Sequence, residues 1–84
     1  MNSAGTVIFV SANGGMAVVQ HSDGFAVAEM LGDEVERGDS LVADWDALGS
    51  ATVTNRTKGG RIEVYMQGSW GNREAAIALA RRTG

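Results

Sequence analysis

The stretch VSANGGMAVVQHSDGFAVAEM, residues 10–30, places two turn signals between apolar runs. The dipeptides Asn13-Gly14 and Asp23-Gly24 tolerate the positive φ angles of tight hairpin turns. The runs around them are rich in valine and other residues that are typical of strands. The stretch therefore predicts the centre of a three-stranded antiparallel meander. Its strands are expected over 6–12, 16–21 and 25–31.

The chain beyond this meander predicts three further strands. A polar, acidic connection at 32–39 comes first. Apolar and polar residues then alternate, which predicts a half-buried strand with Trp45 facing inward. The turn Lys58-Gly59-Gly60 joins the last two strands. The three strands are expected over 40–46, 51–56 and 61–67.

A turn at 68–71 and a short helix are expected to follow these strands. Asn72 is a favourable N-cap, and residues 73–82 are rich in alanine, the strongest helix former. Ile77 and Leu79 lie on nearly opposite sides of this helix, so the large apolar residues form no continuous stripe. Because so short a helix is marginal in water, we expect it to pack on the strands or on a partner.

Length and composition predict a single all-β domain over residues 1–84. A chain of 84 residues has room for one core. Its 12 glycines and the absence of proline indicate many tight turns between short strands. We predict a mainly β fold, a small barrel of five or six strands over about 5–67, with one short C-terminal helix over about 72–82. Whether the strand at 61–67 closes the barrel or extends one edge stays open.

The strand layout and several short motifs resemble a known family. A three-stranded meander, a connection and a further hairpin form the layout of the OB-fold, and an SH3-like barrel is the alternative. Five short pieces carry a further resemblance: Gly5-Thr6-Val7, 15–19, Asp23-Gly24, 38–41 and 49–55. Through them the chain resembles cold-shock domains over about residues 5–56. The resemblance implies an OB-like barrel that binds single-stranded nucleic acid through aromatic side chains of its second and third strands, helped by a basic surface.

The residues at the implied binding positions differ from that pattern. The second strand carries Met16 and Val18 there, and the third strand retains only Phe25. Single-strand binding needs stacking rings and cations along the backbone path. Residues 1–55 hold one cation, Arg37, against eight acidic residues. The sequence therefore disfavours nucleic-acid binding through this wall.

A second candidate site for nucleic acid lies in the basic half of the chain. Residues 56–84 contain six cations and two acidic residues. Arg56, Lys58 and Arg61 flank the glycine turn, and Tyr65 is expected on the outward face of the next strand. This hairpin predicts weak single-strand binding, and the competing interpretation is a solvated hairpin tip.

The remaining polar residues predict no catalytic, metal or cofactor site. Asp44 and Asp46 are expected on one face of a strand, as part of a solvated surface. The acidic residues of the connection, Asp39 among them, are expected in a solvated loop. His21 is the single histidine, expected at the surface beside a turn, and the chain has no cysteine for a zinc site. We therefore expect a non-enzyme.

These observations favour a protein-binding or assembly module. Its expected surfaces are the acidic face and the C-terminal helix, with Trp70, Ile77 and Arg81 as candidate partner-binding residues. Trp70 alternatively fixes the helix to the barrel. The expected partner is another protein or a second copy of the chain, and nucleic acid is less favoured. No membrane span or secretory signal is expected, which makes the cytoplasm the expected location.

Overall fold

Six strands and one helix make up residues 2–83, which the computed structural model describes. The elements are β1 (Ser3–Val10), β2 (Met16–His21), β3 (Gly24–Met30), β4 (Ser40–Ala43), β5 (Gly49–Asn55), β6 (Arg61–Trp70) and α1 (Arg73–Thr83).

The strands form a closed antiparallel barrel in the order β1-β2-β3-β6-β5-β4. Two meanders, β1 to β3 and β4 to β6, are joined by the pairs β1–β4 and β3–β6. Each of these strands has a partner on both sides, so none presents an open edge. β6 closes the barrel, because it pairs with both β3 and β5. The prediction of a mainly β small barrel with one short helix is confirmed, and the architecture is compatible with an OB-like fold.

Three predicted strand ends differ from the observed ones by three residues each. β1 begins earlier, because Ser3 pairs with Ala43 of β4. β4 ends at Ala43, so Trp45 lies in the turn that follows it. β6 runs through the predicted turn at 68–71 as far as Trp70. Gly68 makes this continuation feasible, because its φ of 151° lies at the point where the β3–β6 pairing shifts register.

The inner core fills the barrel with the inward-facing side chain of every second strand residue. Val35 from the connection between β3 and β4 enters it as well. Gly5 of β1 is required here, since a Cβ at this position would lie 2.6 Å from Val19 Cγ1. The buried members of the inner core are Val7, Ala17, Val19, Ala26, Ala28, Val35, Leu41, Ala43, Trp45, Val53, Ile62, Val64 and Met66.

A second apolar cluster, the outer cluster, lies between the barrel wall and α1. Ala76 and Ala80, one turn apart, are fully buried in it. Their small side chains allow the helix to approach the strands closely, so the helix has an apolar stripe that its large residues alone do not reveal. Asn72 caps the helix as predicted, accepting hydrogen bonds from two backbone N–H groups. The other members are Met16, Val18 and Val27, with Ile8, Phe9, Phe25, Trp70, Ile77 and Leu79 partly buried around them.

Candidate functional site

α1 occupies the wall that the cold-shock resemblance assigns to nucleic acid. Met16 is 3% exposed, and Val18 and Val27 are 0% exposed. Phe25, the one retained aromatic residue, is partly buried in the same outer cluster. The space above these side chains, which a stacked base would need, is filled by the helix.

Phe9 of β1 is also unavailable as a stacking platform. The guanidinium carbon of Arg81 lies 5.4 Å from the centroid of the Phe9 ring. At this distance the cation is attracted to the ring face. The contact links the last turn of α1 to the barrel and holds Arg81 at the surface of the outer cluster.

A groove lined by arginine side chains runs beside this contact. One part of it, with a volume of about 530 Å³, lies between β1, β2, the connection and the start of α1. The second part, about 340 Å³, follows the exposed side of α1. Arg73 lines both parts. We call the two parts together the arginine groove, after Arg37, Arg73 and Arg81.

Local structure explains how the first part of the arginine groove is formed. The pairing of β1 with β2 shifts register between Val7 and Phe9, which makes Ile8 the extra residue of a β-bulge. Ile8 thereby reaches the groove. Backbone hydrogen bonds hold the connection against β1: the Gly38 N–H donates to Val7 O at 2.8 Å. Arg37 is fixed beside Ile8 as a result.

The arginine groove carries unbalanced positive charge. Within residues 2–83, none of Arg37, Arg73 and Arg81 takes part in an ion pair. Glu74 contributes a carboxylate to the part along the helix, and Ile77 contributes an apolar side chain. The surface is therefore suited to a ligand that brings both anionic and apolar groups.

Two of the three candidate partner-binding residues line this groove. Ile77 is partly buried and Arg81 is exposed, and both lie along its second part. Trp70 lies in the outer cluster instead, partly buried where β6 leads into α1. The sequence did not indicate Arg37 or Ile8, because the fold alone brings them beside Arg73.

The basic hairpin at 56–61 is only partly a cationic surface. Lys58 Nζ lies 2.6 Å from Glu36 Oε1 and 3.5 Å from Asp39 Oδ2. The hydrogen bond to Glu36 is the main cause that raises the pKa of Lys58 above 10.5. Arg56 and Arg61 are exposed. The hairpin thus offers two exposed arginines, whereas the charge of its lysine is already neutralised by the acidic connection.

Tyr65 lies on the outer face of β6, outside the outer cluster, among polar and acidic side chains. It is 44% exposed and pairs with Glu29 of β3. Elsewhere on this wall the Thr52 hydroxyl donates to Glu63 at 3.0 Å. The Gln67 amide donates to Glu29 at 3.4 Å. A phosphate that approached Tyr65 would meet carboxylates.

The expectation that Asp39 belongs to a solvated loop is wrong, since the residue is 4% exposed. Its Oδ2 accepts hydrogen bonds from the Glu36 N–H at 3.0 Å and the Asn55 side-chain amide at 3.1 Å. Burial by itself raises the pKa of Asp39, but these hydrogen bonds and the charge of Lys58 outweigh burial and hold the pKa below 3.8. The carboxylate ties the connection to the β5–β6 turn.

The expectation that His21 is a surface residue is also wrong. It is 9% exposed and its ring stacks on Trp45, with 5.8 Å between the ring centroids. His21 Nε2 lies 2.8 Å from Ser69 Oγ, and His21 Nδ1 accepts the Asp23 N–H at 3.3 Å. The extension of β6 beyond residue 67 explains this burial, because it places Ser69 against the end of β2.

The hydrogen bond between His21 and Ser69 has the wrong direction for nucleophilic catalysis. An activating histidine needs an unprotonated Nε2 that can take the serine proton. Because Nδ1 here accepts a backbone N–H, the proton of the neutral ring is assigned to Nε2, which donates to Ser69 Oγ. The pair is therefore suited to anchoring β6 on β2.

The predicted same-face pair of carboxylates is not formed. Asp44 and Asp46 follow the end of β4, and the Asp46 N–H donates to Asp44 Oδ1 at 3.2 Å in a turn. Among the residues that the structure describes, no group of three or more acidic, histidine or cysteine side chains could hold a metal ion.

The candidate site is supported by the chain's own residues alone, because comparisons with known proteins found no match. No protein-family model, no curated protein and no solved structure matches the chain. Across residues 2–83, no helix has both the length and the apolar character needed to cross a membrane.

Proposed function

We propose that this chain is a non-enzymatic protein-binding module. The observation that carries the proposal is the arginine groove, where Arg37, Arg73 and Arg81 lack ion-pair partners beside apolar Ile8 and Ile77. Arginine is enriched at protein–protein interfaces, where its fork of donors fits carboxylates. The groove thus combines cations that have no ion-pair partner among the described residues with apolar side chains.

Three features favour a protein partner over nucleic acid. The barrel wall that would stack bases is buried beneath α1. The Phe9 ring is covered by Arg81. The chain carries a net charge of −3, which disfavours a polyanion at long range. The cold-shock resemblance then relates to the fold and not to nucleic-acid binding. Two of the matching pieces, 38–41 and 49–55, are joined by the hydrogen bond between Asp39 and Asn55.

Site-specific photo-crosslinking in the cells that express the protein tests this proposal. A photoreactive residue is placed at Ala78, which is exposed in the groove, and in a matched variant at Ser50, which is exposed on β5 and does not line the groove. We expect protein adducts from position 78 and none from position 50. Absence of a protein adduct at position 78 would contradict the proposed function.

Weak single-stranded nucleic-acid binding through the hairpin at 56–61 is the second candidate function. It is favoured by Arg56 and Arg61, which are exposed and outside the described ion pairs. Titration with oligothymidylate at low salt, followed by amide chemical shifts, decides it. Shifts at 56–65 that Arg56→Ala and Arg61→Ala each weaken would support it. Unchanged spectra would remove it.

A further inference from the structure

We propose that the partner of the arginine groove is a second copy of this chain, whose segment 31–34 fills the groove. This inference rests on the proposed function and names its partner. The segment, with sequence LGDE, opens the connection between β3 and β4. We call it the acidic segment.

The acidic segment has the side chains that complement the arginine groove. Leu31 is 49% exposed, so much of its apolar side chain is available for contact. Asp33 and Glu34 are exposed and take part in no ion pair among the described residues. Glu36 differs from them, because Lys58 already neutralises it. The segment thus presents one apolar side chain and two available carboxylates.

The carboxylates and the leucine of the acidic segment each have a counterpart in the arginine groove. Arginine binds carboxylates through paired N–H donors, which fits Asp33 and Glu34 against Arg37 and Arg73. Ile8 offers an apolar contact for Leu31 in the same part of the groove. Burial of Leu31 on association removes apolar surface from water, which is the dominant favourable contribution to most protein–protein associations.

The acidic segment and the arginine groove of one copy are both available to a second copy. Within one copy the acidic segment makes no ion pair with Arg37 or Arg73. Arg37 belongs to the same connection as Asp33, so each copy presents both halves of the interface on neighbouring surface. A two-fold axis allows the acidic segment of each copy to fill the groove of the other, the isologous arrangement of most dimers.

Charge reversal of the two halves tests the inference on the full chain. The groove variant is Arg37→Glu with Arg73→Glu, and the segment variant is Asp33→Arg with Glu34→Arg. All four side chains are exposed, so both variants are expected to fold. Sedimentation measures self-association from micromolar to millimolar concentration. Salt alone is a poor probe, because it screens both the local attraction and the repulsion between net charges.

We expect the wild type to dimerise and each variant alone to associate at least about tenfold more weakly. An equimolar mixture of the two variants should recover dimers, because both contacts again join opposite charges. Arg56→Glu with Arg61→Glu, on the hairpin away from the groove, is the matched control and should dimerise like the wild type.

A wild type that stays monomeric to millimolar concentration would overturn the inference. Self-association that survives both reversals, or a mixture of folded variants that fails to recover, would do the same. These results are distinct from failure of the proposed function. A monomer whose residue 78 crosslinks to a different protein overturns the second copy alone, whereas a residue 78 that captures no protein removes the proposed function itself.

Discussion

The two outer walls of the barrel are both formed by outward-facing side chains of strands, but one wall is apolar and the other is polar. The wall beneath α1 presents Met16, Val18 and Val27, which are aliphatic and buried. The wall formed by β5 and β6 presents side chains such as Thr52 and Glu63, which are exposed and hydrogen-bonded across the strands. The first wall is apolar and is therefore covered, whereas the second is polar and can face water. The chain's own helix α1 therefore covers one wall of the barrel.

The inner core supports both walls, so its loss should have the largest effect. Trp45 is 4% exposed, stacks on His21 and donates its indole N–H to Ser3 O at 2.9 Å. Trp45→Ala should lower the free energy of unfolding by about 3–5 kcal/mol. Urea denaturation measures this. Trp70→Ala, at a partly buried site, is the comparison and should cost less. Equal losses would show that the outer cluster supports the fold as strongly as the inner core.

Overpacking the covered wall should have the next largest effect. Ala76 is 0% exposed between the helix and the barrel, so Ala76→Leu should cost about 1–3 kcal/mol by forcing α1 away from the wall. Chemical shifts of Met16 and the urea midpoint report it. Ala75→Leu, one residue away on the exposed side of the same helix, should leave both unchanged. If the two variants behave alike, α1 is not held by close packing.

The buried carboxylate of Asp39 should make a smaller, pH-dependent contribution. Its folded pKa lies below the ordinary 3.8, so its stabilisation is fully present above pH 3.8 and is lost as the pH falls through the folded pKa. Asp39→Asn should cost about 1 kcal/mol at neutral pH, because charge-assisted hydrogen bonds are roughly twice as strong as neutral ones. Urea denaturation at neutral and acidic pH measures both. An unaltered acid dependence in the variant would contradict this assignment.

The polar wall should be the least sensitive region. Thr52→Ala removes an exposed hydroxyl that donates to Glu63, and the free energy of unfolding should change by less than about 0.5 kcal/mol. Thermal unfolding is sufficient to check this. A larger loss would mean that cross-strand hydrogen bonds hold this wall together, and the contrast between the two walls would weaken.

The number of strands and the facing of their side chains could be predicted from the sequence. The run RIEVYMQ alternates, and Ile62, Val64 and Met66 are buried as this alternation predicts. The run MAVV in β2 is apolar without alternation, which is typical of a strand covered on both faces. Those four residues are all buried. The alternating pattern of β6 and the continuous apolar run of β2 therefore distinguish the polar wall from the covered wall at the level of sequence.

The parts that could not be predicted depend on residues far apart in the chain. The burial of His21 requires Ser69, and that of Asp39 requires Asn55. Gly68 has the composition of a turn, yet it lies within β6 because its pairing with β3 tolerates a bulge. The arginine groove joins Ile8, Arg37 and Arg73 only after the barrel has closed. Local patterns cannot report such juxtapositions.

Barrel closure also has a consequence for the rate at which the chain folds. The closing pairs bring together distant residues, Ser3 with Ala43 and Phe25 with Trp70. Loops of that length lose much entropy before any contact compensates, which places refolding in the millisecond-to-second range of proteins dominated by non-local strand pairing. Because α1 packs on β2, β3 and β6, we expect the helix to dock only after these strands have paired.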